Sequence, residues 1–226
     1  MTHTRTHVVL CLTAMIVLAA AAPLFAQDKP ALQVDKEKKT IRIPCKVAPR
    51  KLPNLSEVYP IEVIASFAAP KGKKAHETVV TFEVLPSEIH KALEGLGLTA
   101  GKPAKGQDSE AQGPEVGVSL EIPGPEKTTK KVPIEKTLVD RKTGKTMPKV
   151  KWRFTGSVML QLDPNKPEKT YGADASGTLI AIFPVTDETV IQTSLTMKEE
   201  PFIKMDTNKD VLPAEGTDVT LLIEVK

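Results

Sequence analysis

Apolar residues in this chain recur at every second position, in short runs separated by proline, glycine and charge. Over residues 150–162, Val150, Trp152, Phe154, Val158, Leu160 and Leu162 fall on one side and Lys151, Arg153, Thr155, Ser157 and Gln161 on the other. Successive side chains of a strand point to opposite faces, so period 2 marks half-buried β-structure. Gly156 interrupts the apolar set and predicts a bulge or bend. The alternation returns at 41–47, where Ile41, Ile43, Cys45 and Val47 oppose Arg42 and Lys46. It returns again at 59–67, with Tyr59, Ile61, Val63, Ala65 and Phe67 on one face. Residues 78–84, 116–122, 131–139 and 219–225 read as further strands, and the almost wholly apolar 178–185 as one buried on both faces. Nineteen prolines favour turns and sheet edges over long helices, and Pro44 places the 41–47 strand at an edge.

One segment changes period. Pro86 suits the first turn of a helix, where its missing N–H costs nothing, and Glu88 complements the positive end of the helix dipole. Ile89, Ala92, Leu93 and Leu96 then form a single apolar stripe, which Gly95 and Gly97 terminate. Many strands, one main helix at about 86–97 and no repeating βαβ unit predict an α+β fold. In it, mostly antiparallel strands form a sheet with the helix packed over one face. Residues 39–226 form one domain. Residues 99–115 lack any period and read as a flexible loop, and 140–144 as a turn.

The amino terminus has a different logic. Arg5, flanked by His3 and His7, precedes the apolar run 8–22, which is shorter than the ~20 residues of a spanning helix. Pro23 ends it, and Ala26 precedes the polar Gln27. Residues 1–26 are therefore expected to be a signal peptide, with a retained membrane anchor as the alternative, and 27–38 a polar leader. The mature chain would be secreted or periplasmic, with no membrane contact beyond export. No small residue precedes Cys11, which argues against a lipid anchor. Removing the signal leaves Cys45 alone, which excludes an intrachain disulfide or an all-cysteine metal site. Its place on the buried strand face predicts an inert thiol.

Several motifs add up to a resemblance. They are Lys74-Ala75-His76-Glu77-Thr78, then Leu85-Pro86-Ser87-Glu88-Ile89-His90, Arg141-Lys142-Thr143-Gly144-Lys145 and Trp152-Arg153-Phe154-Thr155-Gly156-Ser157. Gly177-Thr178-Leu179-Ile180-Ala181 and Leu212-Pro213-Ala214-Glu215-Gly216-Thr217-Asp218 complete the set. In this order they resemble the YdjY-like domain of exported bacterial proteins. The resemblance spans roughly residues 38–226 and implies export and a β-rich domain, with no activity attached.

Function classes narrow by chemistry. A net charge of +3 with interspersed signs speaks against nucleic acid, and one Trp, two Tyr and six Phe are too few for a stacking platform. His76, Glu77 and His90 are the candidate metal ligands, because two imidazoles and a carboxylate suit Zn²⁺ or another divalent ion. Their spacing is not that of His-Glu-x-x-His, and the plainer reading has His76 bonded within its loop and His90 half-exposed on the helix. Ser157 lies mid-strand rather than on a nucleophile elbow. Lys71, Lys73 and Lys74 read as a solvated loop, and 206–210 lacks the glycine and glutamate of a calcium loop. The expectation is an exported, non-catalytic binding or scaffolding domain without cofactor, whose partner is a cell-envelope protein or small ligand. The alternative is a divalent-metal site on His76, Glu77 and His90 with a hydrolytic role.

Overall fold

A computed structural model describes residues 32–226; the expected signal peptide and leader residues 27–31 lie outside the described residues. In chain order the elements are β1 (Gln33–Asp35), β2 (Thr40–Val47), β3 (Val63–Phe67), β4 (Thr78–Phe82), α1 (Pro86–Gly95), β5 (Glu115–Pro123), β6 (Thr129–Pro133) and β7 (Leu138–Asp140). There follow β8 (Trp152–Phe154), β9 (Met159–Leu160), β10 (Thr170–Tyr171), α2 (Gly172–Ser176), β11 (Thr178–Ala181), β12 (Ile191–Thr193), β13 (Met205–Thr207) and β14 (Asp218–Val225).

Eight of these strands close on themselves. Neighbours run β2, β14, β5, β8, β12, β11, β3, β4, and β4 then pairs back onto β2 through Cys45–Phe82, Lys46–Thr81 and Val47–Val80. The expected α+β fold, with a main helix packed over one face of a sheet, is therefore corrected to a closed β-barrel with two short α-helices among the described residues. The physical reason lies in what period 2 encodes. Alternation says that one face of each strand is buried, but not what buries it. In a small barrel the inward side chains of the sheet fill the interior, and no covering helix layer is required. Ile41, Ile43, Leu120, Phe154, Leu221 and Ile223 are all fully buried in one cluster. β3–β4 and β11–β12 are parallel pairs; the other barrel contacts are antiparallel.

The helix stripe is real but serves the end of the barrel. Ile89 and Leu93 have no exposure and join the barrel's own core. α1 follows the end of β4, and the His90 ring meets Phe154 at the end of β8. Asp174 of α2 accepts the Ser87 N–H at 2.8 Å, which joins the two helices. After α1, Gly97 adopts φ +93°, and Leu98 N–H returns to the Leu93 carbonyl.

Other expectations shift for local reasons. Pro44 does not mark an edge. β2 pairs with β14 along its length, and on its other side with β1 up to Arg42 and with β4 from Cys45. Pro44 sits where the partner changes, a point that tolerates a missing donor. The described part of the leader forms β1 and a turn through Lys39 at φ +50°, so regular structure begins before residue 39. The predicted 150–162 strand ends at Phe154. Thr155 and Gly156 both donate to the Val190 carbonyl, Gly156 bends the chain at φ +67°, and Met159–Leu160 leave to pair with β10. The 99–115 stretch, expected to be a flexible excursion, is tied to the barrel by Gly101 N–H to the Phe154 carbonyl. Ala104 adds a reciprocal pair of bonds with the buried Gln192 side chain.

If α1 completes the barrel core, Leu93→Ala should cost about 2–5 kcal/mol in urea unfolding, and the exposed Lys91→Ala less than about 0.5 kcal/mol. Similar small costs for both would mean that the helix does not seal the core.

Candidate functional site

At the opposite end, where β2 finishes and β3 and β4 begin, charged side chains collect. Ala75–Glu77 is a single 3-10 turn rather than extended strand. Neighbouring side chains there need not oppose each other, and His76 Nε2 lies 3.0 Å from Glu77 Oε1. The His76 ring stands edge-on to Tyr59 at 5.1 Å between centroids. Lys74 Nζ donates to Glu77 Oε2 at 2.7 Å and to Glu62 Oε2 at 3.2 Å, so one ammonium bridges two carboxylates. Burial pushes the Glu62 carboxyl above its usual range; the Glu77 charge adds to this and Lys74 opposes it. Burial alone would lower Lys74, but Glu77 and Glu62 hold its proton and raise it.

Tyr59 connects this cluster to a second one. Its main-chain carbonyl accepts Arg50 Nη2 at 2.5 Å and Arg141 Nη2 at 3.0 Å. The same arginines share the Asp206 carboxylate, Arg50 Nε on Oδ1 at 2.9 Å and Arg141 Nε on Oδ2 at 3.2 Å. Burial opposes ionisation of Asp206, yet the Thr207 N–H and the two guanidiniums outweigh it and hold the carboxyl below its usual range. Three elements set this geometry. Arg50 follows β2, with its N–H on Glu215 Oε1 at 3.0 Å. Asp206 is carried by β13, paired opposite Val139 of β7. Arg141 opens the expected 140–144 turn, in which Asp140 accepts the Lys142 and Thr143 N–H groups and Gly144 adopts φ +66°. Beside Arg50 lies a cavity of about 270 Å³ walled by Val47, Ala48, Leu212, Pro213 and Ala214. A more open recess of about 530 Å³ is lined by Arg50, Val58, Arg141, Asp206 and Lys209.

The two histidines do not meet. His76 precedes β4 and His90 follows it, so five extended residues separate them. At ~3.3 Å per residue, they stand at opposite ends of the barrel. His90 Nδ1 is 2.7 Å from Tyr171 Oη, and Nε2 is 3.3 Å from Glu94. Phe154 packs on the His90 ring, and a Cβ on Gly156 would stand 3.1 Å from His90 Cε1. Burial pushes the Tyr171 hydroxyl well above its usual range. Among the described residues, no group of three or more His, Cys, Asp or Glu side chains is placed to hold a metal ion. Ser157 Oγ accepts the Ala173 N–H and donates to the Asp187 carbonyl. Cys45 is 5% exposed, and burial pushes its thiol up to about 12, as an inert core residue requires. The three loop lysines part company: Lys71 lies over the Phe67 ring, Lys73 pairs with Glu188 and Lys74 turns inward.

The landmarks that carried the resemblance thus gather at the two barrel ends. Residues 74–78, 141–145 and 212–218 lie at the charged end and 85–90 at the helical end, while 152–157 and 177–181 run through β8 and β11 with Phe154–Ser157 and Gly177–Thr178 at the helical end. The YdjY domain matches residues 32–224. The chain belongs to the YdjY domain family. No curated protein and no solved structure matches it. For a YdjY domain, this geometry adds residues that sequence reasoning passed over. Arg50 stands in a proline-rich stretch that reads only as loop, and Asp206 in a segment set aside as a poor calcium loop. Glu62 and Lys74 become partners only once β3 and β4 lie side by side.

Replacing the bridging lysine tests the cluster. Lys74→Met leaves Glu62 and Glu77 without their cation and should cost about 1.5–3 kcal/mol near neutral pH. Glu62 already binds its proton more tightly in the fold than in an unfolded chain. Its ionisation therefore costs stability as pH rises, and the variant should recover part of the loss between roughly pH 7 and pH 5. An equal loss at both pH values, followed by thermal unfolding, would contradict a coupled carboxylate pair.

Proposed function

We propose that this YdjY domain is exported and works by binding or scaffolding rather than by catalysis, outside the cytoplasm, with a small ligand or cell-envelope protein as its partner. The observation that carries the reading is the pair of recesses meeting at Arg50, one with apolar walls and one charged. Concave, mostly apolar sites with a few convergent polar groups are where ligands are held. The side chains with chemical potential are meanwhile engaged in holding the fold. Among the described residues, His76 is bonded to Glu77, His90 to Tyr171 and Ser157 to main chain, so the Ser157 hydroxyl is bonded to no imidazole of the kind that activates a nucleophile. Export is supported by Arg5, the apolar run 8–22 and the small Ala26 before Gln27.

Two measurements test this. Expressed from its full sequence in a Gram-negative host, the protein should leave the cytoplasm with an amino terminus at Gln27 by intact mass; full-length chain held in the cytoplasm would contradict export. Thermal-shift screening of the exported protein against cell-envelope components should raise the melting temperature with a ligand that is recovered unchanged. Turnover of an ester, amide, phosphate or glycoside that His76→Ala or His90→Ala abolishes would overturn the non-catalytic reading.

A further inference from the structure

We propose that Arg50, Arg141 and Lys209 form a binding site for a small organic anion, with the carboxylate or phosphate head on the three cations and a short apolar body in the adjoining cavity. This rests on the binding reading above and names its ligand class.

Charge comes first. The open recess presents two guanidiniums and an ammonium against a single carboxylate, Asp206, whose two oxygens are already taken by the arginines. Within the recess two positive charges are left over, and with Glu215 of the adjoining cavity counted the two spaces together keep one. Arginine forks suit the planar oxygens of carboxylate and phosphate, and a lysine adds a mobile point charge. Lys209 is exposed on the rim, free to swing onto a ligand.

Second, Arg50 is under-satisfied. Its side chain is only 11% exposed, its Nε and Nη2 are bonded to Asp206 and Tyr59, and its Nη1 is buried without a hydrogen-bond partner among the described residues. A buried N–H of a charged group left without an acceptor is costly and rare, so Arg50 is the cation of this recess whose hydrogen bonds the fold leaves incomplete.

Third, the cavity continues past the cations. Arg50 and Lys209 line both spaces, and beyond them the walls are Val47, Ala48, Leu212, Pro213 and Ala214. Glu215 also lines this cavity and accepts the Arg50 N–H. Its charge keeps a second anion out of the apolar part and so orients the ligand head outward. The pieces converge because the end of β2 and the 207–215 segment lie side by side: Gly216 N–H bonds the Val47 carbonyl and Val47 N–H the Thr217 carbonyl.

The test is an NMR titration of the exported protein with hexanoate, hexyl phosphate, inorganic phosphate and hexylammonium. Either six-carbon anion should saturate, shifting the amides of Val47 and residues 212–215 and the Nε–H of Arg50, with affinity falling as salt rises. Whichever of hexanoate and hexyl phosphate binds more tightly identifies the head group. Lys209→Gln, at an exposed position that leaves the fold intact, should weaken that binding about tenfold, the size of one lost charge-assisted contact. Arg141→Gln should do the same. Four outcomes overturn the proposal: no saturable shift with either anion, equal binding of hexylammonium, inorganic phosphate as tight as hexyl phosphate, or affinity unmoved by Lys209→Gln. A ligand of another class that raises the melting temperature while these probes fail would refute this site and leave the binding reading standing.

Discussion

The structure depends on the pairing of β2 with β4. Three residue pairs, from Cys45–Phe82 to Val47–Val80, turn an eight-strand ribbon into a ring. Without them, β4 and the Cys45–Val47 half of β2, which β1 does not cover, would be exposed edges with unpaired backbone groups. With them, every barrel strand has two neighbours and the alternating apolar residues face a common interior. Closure also defines two ends. One is sealed by α1 and α2 through Ile89 and Leu93, and the other remains polar and recessed. The candidate site exists because β2, on leaving the seam, delivers Arg50 to the polar end.

That polar end is organised by sharing. Lys74 bridges Glu62 and Glu77, Asp206 bridges Arg50 and Arg141, and Tyr59 contributes its ring to one group and its carbonyl to the other. Partly buried charges arranged this way satisfy one another at the cost of desolvation, and they fix loop geometry more than they add stability. The imbalance falls on the arginine side, where a guanidinium nitrogen is left over and a lysine stands at the rim. The His90–Tyr171 contact at the other end is of a different kind. It is a close-packed hydrogen bond against Phe154 and Gly156 that locks the helical plug.

How much of this the sequence disclosed follows from the range of the interactions. Local chemistry was legible: the alternation of β2, β5 and β14, the Pro86 start and apolar stripe of α1, the Asp140–Gly144 turn and the bend at Gly156. The His76–Glu77 pair was legible as a pair. Long-range partnership was not. Nothing local in Ile41–Val47 says that its far half will meet β4, so Pro44 read as an edge and the fold as a sheet under a helix. Short strands such as β12 and β13 bury residues without displaying a full period. Arg50, Arg141 and Asp206 come from three loops or strand ends far apart in the chain, and His90 finds Tyr171 across 81 positions. Such contacts are properties of topology, and alternation alone does not determine topology.

The most direct measurement of the account is native-state amide exchange across the seam. Val47 turns its amide to the Thr217 carbonyl, so the seam is bonded through the alternate residues: the Ala48 amide, which donates to the Val79 carbonyl, and those of the Lys46–Thr81 pair should be protected to the level of global unfolding, matching the β2–β14 ladder, because a closed ring opens only as a whole. Seam amides exchanging orders of magnitude faster than the β14 ladder would show an open sheet edge there, and would contradict the closed barrel from which the placement of both ends is derived.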